Sequence, residues 1–168
     1  YYYSLQAHLS FISGFKKRRF RIKSKVLLLD ATVITLCLSV FDWAKYKKDK
    51  GAVKMHTLLD YQSHLPNYVH ITDGKVADNK GAYDMPLQKG SVVVADRYYI
   101  DLELLNNWDS NRVKFVVRHK NNMSFKVIEE RPLQKEKHPH ILKDELIEFT
   151  GHRSRKRYPK KLRRVEVW

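Results

Sequence analysis

Two short apolar runs in this chain each end in an aspartate. The first run covers residues 26–29 and is followed by Asp30, and the second covers residues 92–95 and is followed by Asp96. An acidic residue that closes a continuous hydrophobic run typically marks the carboxyl end of a buried strand, the sheet edge where ligand and metal chemistry gathers. Because Mg²⁺ prefers carboxylate oxygens, two such residues on neighbouring strands would form a divalent-metal site.

The net charge of the chain indicates what such a site would act on. The 168 residues include 33 lysines and arginines against 18 aspartates and glutamates, a formal net charge of +15. This basic excess favours nucleic acid as the partner, with an anionic membrane surface as the weaker alternative. The natural substrate for a carboxylate site on such a chain is a polyphosphate backbone.

Several function classes are disfavoured by what the sequence lacks. No apolar run approaches the roughly 20 residues that span a bilayer, and no signal peptide is visible, so no membrane attachment is expected. Cys37 is the only cysteine, which excludes a disulfide framework and fits a reducing, cytoplasmic setting. None of the 6 glycines stands in a phosphate-binding loop motif, which disfavours a nucleotide-binding phosphotransferase.

Basic clusters could contact phosphates, although a solvated protein surface explains them about equally well. Residues 1–25 combine aromatic side chains with one such cluster. A second cluster precedes and enters the next predicted strand and consists of Lys45, Lys47, Lys48, Lys50 and Lys54. Arg97 directly follows Asp96, where it would either hold a substrate phosphate, the interpretation we favour, or pair with Asp96.

The patterning predicts an α/β sheet for the elements that position the two aspartates. The first strand covers residues 25–30, and residues 33–38 could extend it past a kink. A hairpin follows, then a short helix that Asp78 or Asn79 would cap and that continues to Met85. The two strands of the hairpin cover residues 52–60 and 68–72. After the short helix, the pattern predicts a strand over 91–96, a helix over 101–108 and a strand over 113–118.

The order of these elements constrains where the aspartates lie. A hairpin after the first strand and a right-handed crossover to a parallel strand place the first and fourth strands side by side. Asp30 and Asp96 would then share one sheet edge, within reach of two metal ions about 3.5–4 Å apart. Each aspartate alone would as easily cap a strand or a turn, but both together in this order on a basic chain favour the metal site.

At this point the chain resembles a known family. The motifs are Leu27-Leu28-Leu29-Asp30-Ala31-Thr32, Trp43-Ala44-Lys45, Lys50-Gly51-Ala52-Val53-Lys54-Met55-His56, Ile71-Thr72-Asp73-Gly74-Lys75 and Val92-Val93-Val94-Ala95-Asp96-Arg97. Their order and spacing resemble the catalytic domain of DDE transposases of bacterial insertion sequences, in the group named after insertion sequence four.

The resemblance implies a fold and an activity. The fold would be ribonuclease-H-like, a mixed five-stranded sheet with flanking helices, followed by a β-rich insertion. Asp30 and Asp96 would be the first two acidic ligands of Mg²⁺ or Mn²⁺, and the full protein would cleave element ends and join them to target DNA. It would act in the bacterial cytoplasm in association with the nucleoid, with a homodimer in the DNA complex as a further possibility.

Two departures from the family pattern stand out. The family usually has glycine two places after the second aspartate, where this chain has Tyr98. If that position requires a positive φ, Tyr98 would strain the turn or crowd the site. The family's third acidic ligand is a glutamate on a late helix, which lies beyond this chain, and none of the late glutamates stands in a matching pattern: Glu129, Glu130, Glu145, Glu148 and Glu166.

These observations predict a domain organisation and leave one alternative function. The expected parts are a basic lead-in over 1–24, a partial catalytic core over 25–120, and the start of the β-rich insertion over 121–168. The chain begins at Tyr1 without methionine and stops in a strand-like segment, so we interpret it as a fragment, with little catalysis on its own. The alternative is a non-enzymatic remnant that binds DNA through its basic surface.

Overall fold

A computed structural model of the protein describes residues 4–5, 7–9, 22–37, 45–47 and 50–168. Most of the predicted basic lead-in over 1–24 lies outside these residues, as does Lys48. The chain divides into two compact units, Tyr1–Arg118 and His119–Trp168. No helix in the described ranges is long and apolar enough to cross a membrane.

The first unit is built on a mixed sheet that is five strands wide. In its centre β1 pairs antiparallel with β3 and parallel with β5, and β5 pairs parallel with β6. On the far edge of β3 lie β4 and the short β2, both antiparallel to it. The predicted α/β sheet is confirmed. Its strands are β1 (Val26–Leu36), β2 (Lys45–Lys47), β3 (Lys50–Asp60), β4 (Pro66–Asp73), β5 (Val92–Ala95) and β6 (Lys114–Val117).

The first strand does not end at Asp30, and of the two predicted alternatives the extension beyond this residue is correct. It continues to Leu36, and its pairing with β3 runs from Leu27 to Leu36 without a register shift. The continuation has a physical reason, because β3 is 11 residues long and offers a backbone partner for the second half of β1. What ends near Asp30 is the parallel pairing with the shorter β5. The lysine-rich stretch that precedes the hairpin contains the short strand β2 over Lys45–Lys47, which was not predicted.

The predicted helix over 78–85 is shorter than expected. Helix α1 covers only Asp78–Gly81, and its N-cap residue Ala77 makes no side-chain capping bond. The side chains of Asp78 and Asn79, proposed as caps, instead contact Lys54 and Asp101. Pro86 also limits the helix, since a residue that precedes proline is disfavoured in helical geometry.

The second helix of this unit agrees with its prediction. Helix α2 covers Leu102–Ser110 and begins after Asp101, whose carboxylate accepts hydrogen bonds from the backbone of Glu103 and Leu104. Trp108 is buried and its ring lies 6.4 Å from that of Phe115 on β6. The other buried hydrophobic side chains of this core come from both the sheet and the segments around α1 and α2: Leu27, Leu29, Ala52, Val53, Leu58, Ala82, Met85, Val92, Val93, Ala95, Tyr99, Leu104, Leu105 and Val113.

The second unit is an antiparallel sheet with one short helix. Strand β8 lies between β7 and β9 and pairs with both. The strands are longer than the segments predicted over 125–128 and 146–149. Ile147, Phe149 and Tyr158 are buried and form a small core. The elements are β7 (Phe125–Glu130), β8 (Ile141–Phe149), α3 (His152–Arg157) and β9 (Leu162–Val167).

Candidate active site

The parallel pairing of β1 with β5 brings the two predicted carboxylates together. The last paired residues are Leu29 and Ala95, so Asp30 and Asp96 are the next residue on each strand. Residues in register on adjacent strands project to the same face of a sheet. Leu29 and Ala95 are buried on one face, and the two aspartates, one position further on, are both exposed.

Asp30 lies within β1, opposite Thr57 of β3. The pairing with β3 holds the backbone of Asp30, and the pairing with β5 ends one residue before it, at Leu29. Within the described ranges, the carboxylate makes no hydrogen bond or ion pair with another residue. Both oxygens of Asp30 are therefore available to a ligand from outside these residues.

Asp96 combines a structural role with an available oxygen. Its Oδ1 accepts a hydrogen bond of 2.8 Å from the backbone N–H of Tyr98 and so caps a 3-10 turn over Arg97–Tyr99. The alternative that Asp96 caps a turn is thus correct, and the capping uses one of its two carboxylate oxygens. A carboxylate has two oxygens, and the cap also holds the side chain in one orientation, which suits a metal ligand.

Tyr98 does not have a positive φ, so the condition under which we expected it to strain the turn is not met, and crowding of the site stays a prediction. Among the non-glycine residues that the structure describes, only His64 and Arg112 have a positive φ. The Tyr98 side chain is 61% exposed. The guanidinium carbon of Arg97 lies 5.7 Å from the centroid of its ring, and no ion pair joins Arg97 to Asp96. Arg97 is exposed and keeps its hydrogen-bond donors for a ligand such as phosphate.

Tyr99 is a buried neighbour of the two aspartates that sequence reasoning missed. It is 1% exposed, and its hydroxyl has no hydrogen-bond partner in the described part of the chain. Burial raises the pKa of this hydroxyl, and the charges of Asp78, Asp30 and Asp96 raise the pKa further. The hydroxyl therefore stays protonated and lies within electrostatic range of both predicted metal ligands. Only the tertiary structure reveals this placement.

Lys54 is held inside the fold by two contacts. Its Nζ lies 2.7 Å from Oδ1 of Asp78 and donates a hydrogen bond of 2.6 Å to the carbonyl of Val76. The lysine side chain is 13% exposed and the aspartate 26%. The ammonium group thus fastens the start of α1 to β3, and a solvent-facing phosphate is not its partner in this arrangement.

His56 lies fully buried close to this ion pair. One ring nitrogen, Nε2, lies 3.0 Å from the hydroxyl of Thr72, while Nδ1 has no partner among the described residues. Burial lowers the pKa of the imidazole; among the smaller contributions, Asp78 raises it, whereas Lys54 and His70 lower it. A neutral imidazole packed in the core is the physical account of this residue.

The remaining predicted DNA-contacting lysines are described only through their backbone or not at all. Lys45 and Lys47 lie on β2 and Lys50 opens β3, where Lys45 pairs with Gly51 and Lys47 with Lys50. Lys48 lies outside the described residues. The pairing places three of the lysines on the neighbouring strands β2 and β3, in the same sheet as Asp30.

The donors present suit a divalent cation but form only part of a coordination shell. In the described part of the chain, no group of three histidine, cysteine, aspartate or glutamate side chains could hold a metal ion. The late glutamates include three that are engaged with bases of the second unit, namely Glu145, Glu148 and Glu166. Asp30 and Asp96 carry hard oxygen donors, of the kind that Mg²⁺ accepts one or two at a time beside phosphate and water.

Comparison with known proteins identifies the family. A family model of the transposase DDE domain matches residues 21–166. The chain belongs to the DDE transposase family. This confirms the resemblance of the strand-end aspartate motifs to insertion-sequence transposases. The match extends through both units of this transposase domain.

Two curated relatives agree with this assignment. A protein of Sinorhizobium fredii described as a transposase, y4zB, is 28% identical over 112 residues, which is 67% of this chain and 31% of the relative. A protein of Geobacillus stearothermophilus described as the transposase for insertion sequence element IS5377 is 27% identical over 107 residues, 64% of this chain and 28% of the relative. The chain thus matches about three tenths of each relative's length. No solved structure matches it.

Proposed function

We propose that this domain carries part of the metal site of a DNA transposase that cleaves DNA strands and joins them to a target during transposition of an insertion sequence. The observation that carries the proposal is the register of β1 and β5, which sets two exposed carboxylates side by side on a chain of charge +15. The substrates would be the element ends and the target DNA, and the setting would be the bacterial cytoplasm, at the nucleoid.

Each residue would have a separate task. Asp30 and Asp96 would hold Mg²⁺ or Mn²⁺, which when bound supplies activation of a nucleophile and stabilisation of the leaving oxygen. Asp96 is oriented for this by its hydrogen bond from Tyr98. Arg97 is exposed and directly follows Asp96, and its guanidinium group would bind a phosphate of the DNA backbone through two hydrogen bonds. Lys45, Lys47, Lys48 and Lys50 would add phosphate contacts along the sheet edge, and Lys54 would act through Asp78 as a positioning residue.

We also propose the division of the chain that its sequence predicts. Residues 25–120 would form part of a ribonuclease-H-like catalytic core, and residues 121–168 the start of a β-rich insertion. The third acidic ligand would come from the remainder of the full-length protein, and the active form would be a homodimer on DNA. The relatives' greater length supports this arrangement.

The test is a strand-cleavage assay with the full-length protein that contains this domain, on duplex DNA carrying the sequences that flank its gene. We expect Mg²⁺-dependent cleavage and joining, and a loss of about 10³-fold or more for Asp30→Asn or Asp96→Asn, because each removes roughly 4 kcal/mol or more of transition-state stabilisation. Asp144→Asn, in the second unit, is the matched control and should leave the rate unchanged.

Two outcomes would count against this proposal. Undiminished cleavage by both aspartate variants would place the chemistry elsewhere. Strong Mg²⁺-dependent cleavage by the isolated 168-residue chain would contradict the inference that its site is incomplete. Salt-sensitive DNA binding without any cleavage, unaffected by Asp30→Asn and Asp96→Asn, would instead support the alternative of a non-enzymatic DNA-binding remnant.

A further inference from the structure

The connection between β8 and β9 is much longer than its geometry requires. These strands are antiparallel neighbours, and the residues that close the pairing are Ile147 and Leu162. Antiparallel neighbours can be joined by two to five residues. Here residues 150–161 lie between the two strands and include helix α3. We call residues 150–161 the basic loop.

The basic loop is anchored to the second unit by Tyr158, the residue that follows its helix. Tyr158 is 3% exposed, and its ring meets that of Phe149 edge to face with centroids 6.2 Å apart. Ser154 is half-buried and its carbonyl accepts a hydrogen bond of 2.9 Å from the Tyr158 backbone. The other residues of α3 are all exposed.

The outward positions of the basic loop are almost all cationic. The loop holds six bases and no acidic residue, and all six bases are exposed: Arg153, Arg155, Lys156, Arg157, Lys160 and Lys161. Arg153, Arg155 and Lys156 make no ion pair with any residue that the structure describes. Arg153 and Arg157 share a face of the helix, with Lys156 beside them.

The bases on the strands of the same unit are used differently. Four of them contact a carboxylate of the unit at 2.5 to 3.6 Å: Lys126 with Glu148, Lys143 with Glu166, Arg163 with Asp144, and Arg164 with Glu145. The positive charge that these pairs leave uncompensated is therefore concentrated on the basic loop. Cationic side chains without an ion pair in the described part of the chain, such as Arg153, Arg155 and Lys156, attract an extended polyanion.

We propose that the basic loop binds the sugar-phosphate backbone of duplex DNA, as a surface separate from the Asp30–Asp96 site. The inference rests on the proposed DNA-processing function and adds a second place where the chain holds its substrate. Unpaired arginine and lysine side chains on one helix suit successive phosphates, and this contact would carry no sequence preference. Its role would be to retain DNA rather than to choose the cleavage site.

The experiment measures binding of a random-sequence fluorescent DNA duplex to the full chain, by anisotropy, over a series of salt concentrations in EDTA. The variant Arg153→Ala/Arg155→Ala/Lys156→Ala removes three unpaired bases. We expect at least a tenfold loss of affinity at low salt and a fall of about two to three in the slope of log affinity against log salt, since each phosphate contact contributes roughly 0.9.

The matched control removes the same charge from paired positions. Lys126→Ala/Lys143→Ala/Arg163→Ala should change the affinity less than threefold and leave the salt slope unchanged. A conservative variant, Arg153→Lys/Arg155→Lys, should retain the slope because lysine still neutralises phosphate. Circular dichroism and thermal unfolding of each variant establish whether the second unit is folded. In a folded variant, a loss of DNA binding is caused by the missing side chains and not by unfolding.

Three results would overturn the inference: equal losses for the two triple variants, no loss for the loop variant, or a stronger effect of that variant on binding to phosphatidylserine vesicles than to DNA. The assay also separates this inference from the proposed function. Asp30→Asn should bind like the wild type here, because no metal is present. Normal DNA binding by the loop variant, together with abolished cleavage by Asp30→Asn, would refute DNA binding by the basic loop and still support the proposed metal site.

Discussion

The two units of this transposase domain use their acidic residues in opposite ways. In the second unit, Asp144 receives two hydrogen bonds from Arg163, of 2.8 and 2.7 Å, and the neighbouring Glu145 is 5% exposed and bound to Arg164. In the first unit, Asp30 and Asp96 are exposed next to one another, and no base among the described residues pairs with either.

This difference shows that the unpaired aspartates are not a consequence of scarce cations. The chain has 33 lysines and arginines, and Arg97 is the very next residue after Asp96. Like charges on adjacent strands repel each other, which makes the pair unfavourable for the folded state alone. An external cation between them would remove that repulsion, and this is the physical argument behind the proposed metal site.

The largest effect on stability is expected where the first unit is most tightly packed. A Cβ added at Gly81 would lie 2.6 Å from Cδ2 of His56 and closer still to two other atoms of the buried ring. We expect Gly81→Ala to lower the free energy of unfolding by about 1–3 kcal/mol, as overpacking of a core usually does. Urea denaturation of the full chain provides the measurement.

Gly151 in the second unit is the matched control for this substitution. Its added Cβ would meet only Ser154, with the hydroxyl oxygen 3.5 Å away, which is an ordinary contact. We expect Gly151→Ala to change the unfolding free energy by less than about 0.5 kcal/mol. Equal losses for both substitutions would contradict the packing difference between the two units.

The stability of the two units should depend on pH in different ranges, with a smaller effect than that of Gly81→Ala. Burial lowers the pKa of His56 below its usual 6.5, so the unfolded chain binds a proton that the folded chain does not. Stability from the neutral imidazole is present above pH 6.5 and is lost as the pH falls below that value. Hydrogen bonds from Arg163 and Arg164 lower the pKa of Asp144 and Glu166, so their stabilisation persists until the pH falls through those depressed values.

The measurement is urea unfolding between pH 7.5 and pH 5.5, a range that includes the usual histidine pKa of 6.5 and lies above the lowered pKa values of Asp144 and Glu166. The wild type should lose stability over this range, and His56→Gln should reduce the dependence on pH even though it lowers stability overall. The exposed His138 provides the control, and His138→Gln should leave the pH dependence as in the wild type. An unchanged slope for His56→Gln would show that this imidazole is not the cause.

The smallest expected effects concern the carboxylates themselves. Asp144→Asn removes a charge-assisted pair at the surface and should cost about 0.5–1 kcal/mol. Asp30→Asn removes a repulsion and should leave stability unchanged or raise it by up to about 0.5 kcal/mol. Denaturant midpoints of the two variants compare them directly, and a clear destabilisation by Asp30→Asn would mean that this residue serves the fold.

The sequence was sufficient to predict the pair but not its surroundings. Strand order and crossover handedness follow from patterning, so the proximity of Asp30 to Asp96 could be inferred before the structure was known. Tyr99 could not be found in that way, because only the tertiary structure brings its buried hydroxyl within electrostatic range of Asp78 and the two aspartates.

Two local features depend on distant residues. Whether the first strand ends at Asp30 or continues could not be decided from its own residues, because β3 provides the backbone partners of its second half. The capping role predicted for Asp78 is wrong, because its side chain is engaged with Lys54 rather than with the helix start. Capping and strand-end signals are local, so neither could anticipate a partner supplied by another part of the fold.

The most direct test of the account is Mn²⁺ binding to the purified chain, followed by electron paramagnetic resonance of the free ion. The chain should bind Mn²⁺, and Asp30→Asn or Asp96→Asn should weaken that binding by about tenfold or more, the effect of losing roughly 1.4 kcal/mol of ligand interaction. Asp144→Asn should bind as the wild type does. Equal Mn²⁺ binding by all four proteins would contradict the claim that Asp30 and Asp96 form a metal site.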